Sequence, residues 1–169
     1  MKTPSMEDLY IILALHAAKH VWGRMIWLCD LARIGSSRAL NWNRVGEQAC
    51  ELGIVRIVRV TLFLIQRVFA IPIPSPAEAS LPSDERAAEL AEEIAYQIAD
   101  ETEYDVESPA YFRLMLRLRE RSPDRIRFMS RLLFTPGPGE WALVKLPKLM
   151  FPLYRIVRLT RVAARVANL

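Results

Sequence analysis

From Met6 to about Ile34, apolar residues recur every three or four positions, the period of an amphipathic helix. Ser5 stands where an N-cap belongs, and Glu7 and Asp8 lie at the positive end of the helix dipole. The pattern predicts one continuous helix, broken by Gly35, Ser36 and Ser37. Between His16 and Asp30 the polar groups of this helix are few and aligned. At about 100° per residue, His16, His20, Gly23, Trp27 and Asp30 fall within about 40° of one line, with Lys19 at its edge. A surface helix shows water a broad polar face. A narrow polar seam on an apolar cylinder instead suits a mostly buried helix that opens on a cleft or a partner.

Asn41 caps a second predicted helix that runs to Leu52, where Gly53 ends it. A third follows from Ile54 to Phe69, with Arg56, Arg59 and Arg67 on one face and Phe63 between them. Four prolines then occur between residues 71 and 82, which predicts an extended linker. Ser83, Asp84 and Glu85 open an acidic helix to about Ala99, and residues 100–107 read as a loop. Ser108-Pro109 and Ser122-Pro123 each place a capping residue before a first-turn proline. They introduce basic amphipathic helices that end near Arg121 and Phe134. Residues 135–141 read as a turn, followed by a short helix from Glu140 to Leu146 and a last one from Pro152 to about Val166. No alternating strand pattern competes anywhere.

The predicted fold is all-α, an irregular bundle of about six to eight helices. Residues 1–70 form one helical subregion, 71–82 the Pro-rich linker, and 83–169 a second subregion packed on the first as one domain. The chain has 169 residues, 52% of them hydrophobic and 25% charged, which is enough for a real core. No apolar run reaches the ~20 uncharged residues of a membrane span, since Arg56, Arg59 and Arg67 interrupt them. No signal peptide is apparent either. Cys29 and Cys50 lack ligand-like spacing and read as reduced, buried thiols of a cytoplasmic protein.

The net charge of +4 conceals a strong asymmetry. Up to Ala77 there are nine Lys/Arg against five Asp/Glu; from Glu78 to Glu107, one against eleven; from Ser108 onward, thirteen against three. Opposed blocks of this size usually compensate one another within a fold or across an interface. Nucleic acid is not expected as a partner, because no recognition motif accompanies the basic blocks.

His16 and His20, four apart, could form a metal-ligand pair, but Ala17 stands where a zinc protease has glutamate and no third ligand is apparent. No metal is expected; structural histidines are the simpler reading. Along a single helix Asp30 would lie about 15 Å from His20, so it is expected to meet Arg56 or Arg59 of the third helix. That meeting is either a partly buried ion pair or a phosphate-facing cluster, with the ion pair preferred. No nucleophile elbow, phosphate-binding glycine loop or calcium loop occurs, and no catalytic residue is assigned.

The stretch LHAAKHVWGRMIWLCDLA, then NWNRV, ELGIVRI and FAIPIP, resembles a large bacterial family of uncharacterised nucleotidyltransferases. The later RFMSRLLFTPGPGEWALVKLP and PLYRIVRL resemble the end of the same proteins, in the same order. Full-length members carry, ahead of this region, a polymerase-beta-like α/β domain whose paired acids bind the metal of nucleotidyl transfer. Here Gly35-Ser36 is the only glycine–serine pair and no Asp-x-Asp strand follows it. The resemblance is therefore to the helical C-terminal half alone.

It implies an accessory domain whose seam (His16, Lys19, His20, Trp27 and Asp30) faces a catalytic domain or a nucleotide. Arg56 and Arg59 are further candidates for phosphate contacts. No cofactor is implied in this chain by itself, and Mg with a nucleotide only where a polymerase-beta-like catalytic domain is supplied in cis or in trans. An uncovered seam would also favour a homodimer. The alternative is a helical module for protein or membrane-surface interaction. Its support is the C-terminal helix, where Arg155, Arg158, Arg161 and Arg165 oppose Ile156, Leu159, Val162 and Ala163. Packing of that helix on the fold itself is preferred over a membrane surface.

Overall fold

The computed structural model describes residues 3–100 and 108–134, with positions 153, 154, 156–158 and 160. Among these residues every regular element is helical, and the fold is all-α. The chain divides into two compact units, Met1–Glu120 and Arg121–Leu169.

The first unit opens with α1 (Met6–Lys19). Its start is a reciprocal cap: Asp8 N–H donates to the Ser5 hydroxyl and Ser5 N–H donates to the Asp8 carboxylate, both at 3.1 Å. The long helix expected from Met6 to Ile34 is in fact two. α1 ends at His20, and α2 (Met25–Gly35) turns back along it. The break follows from a helix-terminating motif in which Trp22 N–H donates to the Ala17 carbonyl at 2.7 Å and Val21 N–H to the Ala18 carbonyl at 3.0 Å. That motif needs left-handed backbone, and Val21 (φ 52°) and Trp22 (φ 50°) supply it.

A left-handed valine costs on the order of 1–3 kcal/mol, so its surroundings must hold it there. Trp22 is fully buried and its indole N–H donates to Thr61 Oγ1 at 3.1 Å. The Tyr111 hydroxyl donates to the exposed end of α1 at the Lys19 carbonyl, 2.9 Å away. Both partners come from distant parts of the chain.

α3 (Trp42–Leu52) begins on the Asn41 side chain, which accepts from the N–H groups of Asn43 and Arg44, and ends at left-handed Gly53 (φ 68°). The buried Glu7 carboxylate accepts Asn41 N–H at 3.0 Å and ties α1 to this start. α4 (Val55–Phe69) is the central helix, packed against α1, α2, α3 and α6. Val58, Val60, Leu64 and Ile65 fill the middle of that packing.

Residues 71–82 are not extended throughout, as the prolines suggested. Ser75–Ser80 form α5, with Pro76 in its first turn, where a missing N–H costs nothing. α5 lies on α3 because Gly46 lets it approach; a methyl group there would run into the Ser80 carbonyl. α6 (Glu85–Ala99) starts on Asp84 and buries Ala87, Leu90, Ala91 and Ile94 against α4. α7 (Pro109–Arg117) starts on Ser108 as its sequence implies and stops short of Arg121.

The second unit contains α8 (Ser122–Phe134), which matches its expected span, and helical positions at 154, 156–158 and 160. The expected turn at 135–141, the helix from 140 to 146, most of the loop at 100–107, and Arg155, Arg161 and Arg165 lie outside the described residues. No described helix is long and apolar enough to cross a membrane. Neither cysteine is in a disulfide, and both are exposed rather than buried, on α2 and α3.

Candidate functional site

Folding α2 back on α1 leaves the seam partly intact for a reason the single-helix projection does not contain. His16 and His20 sit on the last turn of α1, and Trp27 on the first turn of α2 meets them across the hairpin. The ring centroids are 4.9 Å apart for His16–His20, 4.8 Å for His16–Trp27 and 5.3 Å for His20–Trp27. The His16–Trp27 pair is edge-to-face, a favoured geometry of aromatic contact. Both histidines are exposed and Trp27 half-buried, so the three rings form an open surface.

Cationic groups border that surface. The Arg24 guanidinium lies 5.6 Å from the Trp27 ring centroid, within cation–π range. Lys19 is exposed beside the histidines. Desolvation lowers the His20 pKa below its ordinary 6.5, and the positive surroundings of His16, Lys19 and Arg24 lower it further. His20 is thus neutral at pH 7 and keeps one nitrogen free to accept a hydrogen bond.

Asp30 is exposed on α2, and the arginines expected to meet it are occupied elsewhere. Arg56 Nε contacts the Asp84 carboxylate at 2.7 Å, and its Nη1 donates to the Arg117 carbonyl at 2.7 Å. Arg59 donates to the Leu81 carbonyl at 2.6 Å and to the Pro82 carbonyl. The preferred Asp30 ion pair is therefore replaced by Arg56–Asp84, because α6, rather than α2, begins beside the buried Arg56. Arg56 and Arg59 clasp the segment that joins α5 to α6 and stand apart from the three rings as structural groups.

Three ion pairs of the first unit reach the acidic block. Arg56–Asp84, Arg67–Glu92 at 3.4 Å and Arg117–Glu93 at 2.5 Å all join a basic helix to the acidic block. Arg24 and Tyr111 were not singled out in the sequence. Arg24 sits one turn before Trp27, a spacing that would have revealed it; nothing local to Tyr111 announces its bond to Lys19. Among the described residues, no group of three or more His, Cys, Asp or Glu side chains is arranged to hold a metal ion.

Residues 1–70 match the family model described as uncharacterised nucleotidyltransferase. The matched segment contains α1 to α4, and with them the whole ring cluster and its cationic border. Neither the curated proteins nor the solved structures contain a match to this chain.

Proposed function

We propose that this chain is a helical accessory domain of a nucleotidyltransferase-like protein, in which the His16–His20–Trp27 surface supports nucleotide or acceptor binding. The observation that supports this most is the coincidence of the family match over residues 1–70 with the hairpin that assembles those rings. Exposed rings offer a stacking platform, while Lys19 and Arg24 supply positive charge for phosphate. Asp30, one turn beyond Trp27, borders the same helix face. Arg56 and Arg59 are left out of this surface because their donors serve the α5–α6 junction.

In this proposal the metal-binding carboxylates come from a polymerase-beta-like catalytic domain, in cis or in trans, in the cytoplasm. Mg arrives with the nucleotide on that domain, and this chain alone does not turn over. Calorimetric titration of Mg-nucleotides into the chain tests both halves. Weak binding that is lost in His16→Ala/His20→Ala, without product, is expected. Turnover by the chain alone overturns the accessory role, and equal binding by the double variant overturns the assignment of the rings.

A second reading has its own support. Leu9, Ile12, Met25 and Ile26 are 44–60% exposed on α1 and α2. Large apolar residues left exposed suit a protein contact surface. A protein-interaction module with no nucleotide role, or a homodimer through this face, follows if no Mg-nucleotide binds.

A further inference from the structure

Arg56 and Arg67 each pair with a carboxylate, and Arg59 donates to backbone carbonyls. Lys19 and Arg24 differ. Both are exposed, and among the described residues no hydrogen bond or ion pair holds either side chain. They border His16 and His20, whose ring centroids are 4.9 Å apart. Desolvation, then the charges of His16, Lys19 and Arg24, keep His20 from taking up a proton. Asp30, three residues beyond Trp27 on α2, is exposed and makes no ion pair with these groups. From α7, Tyr111 brings only a neutral hydroxyl, which burial holds in its protonated form.

Four positive or protonatable side chains therefore gather without an anion to balance them. The negative end of the α1 dipole offsets only about half a charge. The start of α2 adds to the positive field, since it has no side-chain cap and no acid in its first turn. Aromatic surface is less available here than charge. Trp27 is half-buried, the Arg24 guanidinium lies 5.6 Å from its ring centroid, and the two imidazoles stand 4.8 and 5.3 Å away. Its ring contacts are thus made largely within the cluster.

Resting on the nucleotide reading above, we propose that this surface takes its ligand by the phosphate chain and is indifferent to the base. Lys19 and Arg24 meet phosphate oxygens directly. His16 and His20, in their protonated forms, donate hydrogen bonds to the same chain. His20 takes its proton from solvent as the phosphates dock, because their negative charge reverses the field that kept it neutral.

The probe is inorganic tripolyphosphate without Mg, beside ATP, CTP and adenosine, each titrated into the full chain at constant ionic strength. The chain has two histidines and both belong to this surface, so every imidazole resonance reports on it. A stacked base is worth at least about fivefold in affinity. Tripolyphosphate, ATP and CTP should instead agree within about threefold, below that stacking increment, and adenosine should not bind. With saturating tripolyphosphate, the titration midpoints of both imidazoles should rise by about one pH unit, a tenfold tighter hold on each proton. Lys19→Gln and Arg24→Gln should each weaken binding by about tenfold, the scale of one charge-assisted hydrogen bond. Arg38→Gln removes an equal charge from an exposed position in the α2–α3 loop and should leave binding unchanged.

Adenosine binding as tightly as ATP, unmoved histidine midpoints, or the same loss in Arg38→Gln as in Lys19→Gln would each overturn the proposal. Nucleotides that bind where tripolyphosphate does not would overturn it too, while leaving the accessory role standing. Tripolyphosphate that binds where Mg-nucleotides do not would uphold the phosphate site and remove the nucleotide from it.

Discussion

Arg56 and Asp84 face each other at 2.7 Å, with only 9% and 13% of their side chains exposed, and join the first turn of α4 to the start of α6. The pair is embedded in further bonds. Asp84 also caps α6 through Arg86 N–H at 3.1 Å, and Glu120 accepts the Arg56 backbone N–H at 2.5 Å. Removing one partner leaves the other charge buried. Arg56→Ala should therefore cost about 3–5 kcal/mol, read from urea unfolding. Asp84→Asn retains a cap and should cost less. A loss below about 1 kcal/mol for Arg56→Ala, the scale of an exposed pair, would show that the contact is solvated.

Gly46 governs how closely α5 approaches α3. A side chain there meets the Ser80 backbone, which cannot rotate away as a side chain would. Gly46→Ala should destabilise the first unit by about 1–3 kcal/mol despite the better helix propensity of alanine. An increase in melting temperature would show that α5 is not held against α3.

His20 should impose a pH dependence with a definite sign. Its folded pKa is below 6.5 because desolvation, then His16, Lys19 and Arg24, disfavour the charged ring. The unfolded chain binds that proton more tightly, so the contribution is complete above pH 6.5 and is lost as pH falls through the folded value. Urea midpoints at pH 5 and pH 8 should differ more for wild type than for His20→Gln. The imidazole resonances of His20 should titrate below those of a model histidine. Equal midpoint differences in the two proteins would remove His20 as the source.

Self-association follows from the apolar surface beside the rings. Ile12 and Ile26 are 57% and 60% exposed, the first one turn before His16 on α1 and the second next to Trp27 on α2. Light scattering should show a concentration-dependent dimer that Trp27→Glu disrupts, as a symmetric contact requires. A monomer in both proteins rules out this face as a homodimer contact.

The ends of α1 and α3 separate what was legible locally from what was not. Both helices end through left-handed backbone. At α3 the residue is Gly53, whose missing Cβ makes that conformation inexpensive, so the sequence alone places the stop. At α1 it is Val21, a residue that does not announce such a turn, and the apolar period runs on through it. Beyond the turn's own backbone bonds, the buried Trp22–Thr61 bond and the Tyr111–Lys19 bond, across 39 and 92 positions of chain, hold it there.

The same division holds for function. Spacing alone put His16, His20 and Trp27 on one line, and the resemblance to nucleotidyltransferases was carried by contiguous motifs. That the three rings touch depends on the hairpin. That Arg56 pairs with Asp84 instead of Asp30 depends on where α6 begins. The all-α class and most helix starts were written in caps, prolines and apolar period, which act within a few residues. Which cation meets which anion was decided by tertiary packing, because burial makes a charge choose the partner that the nearest helix end supplies.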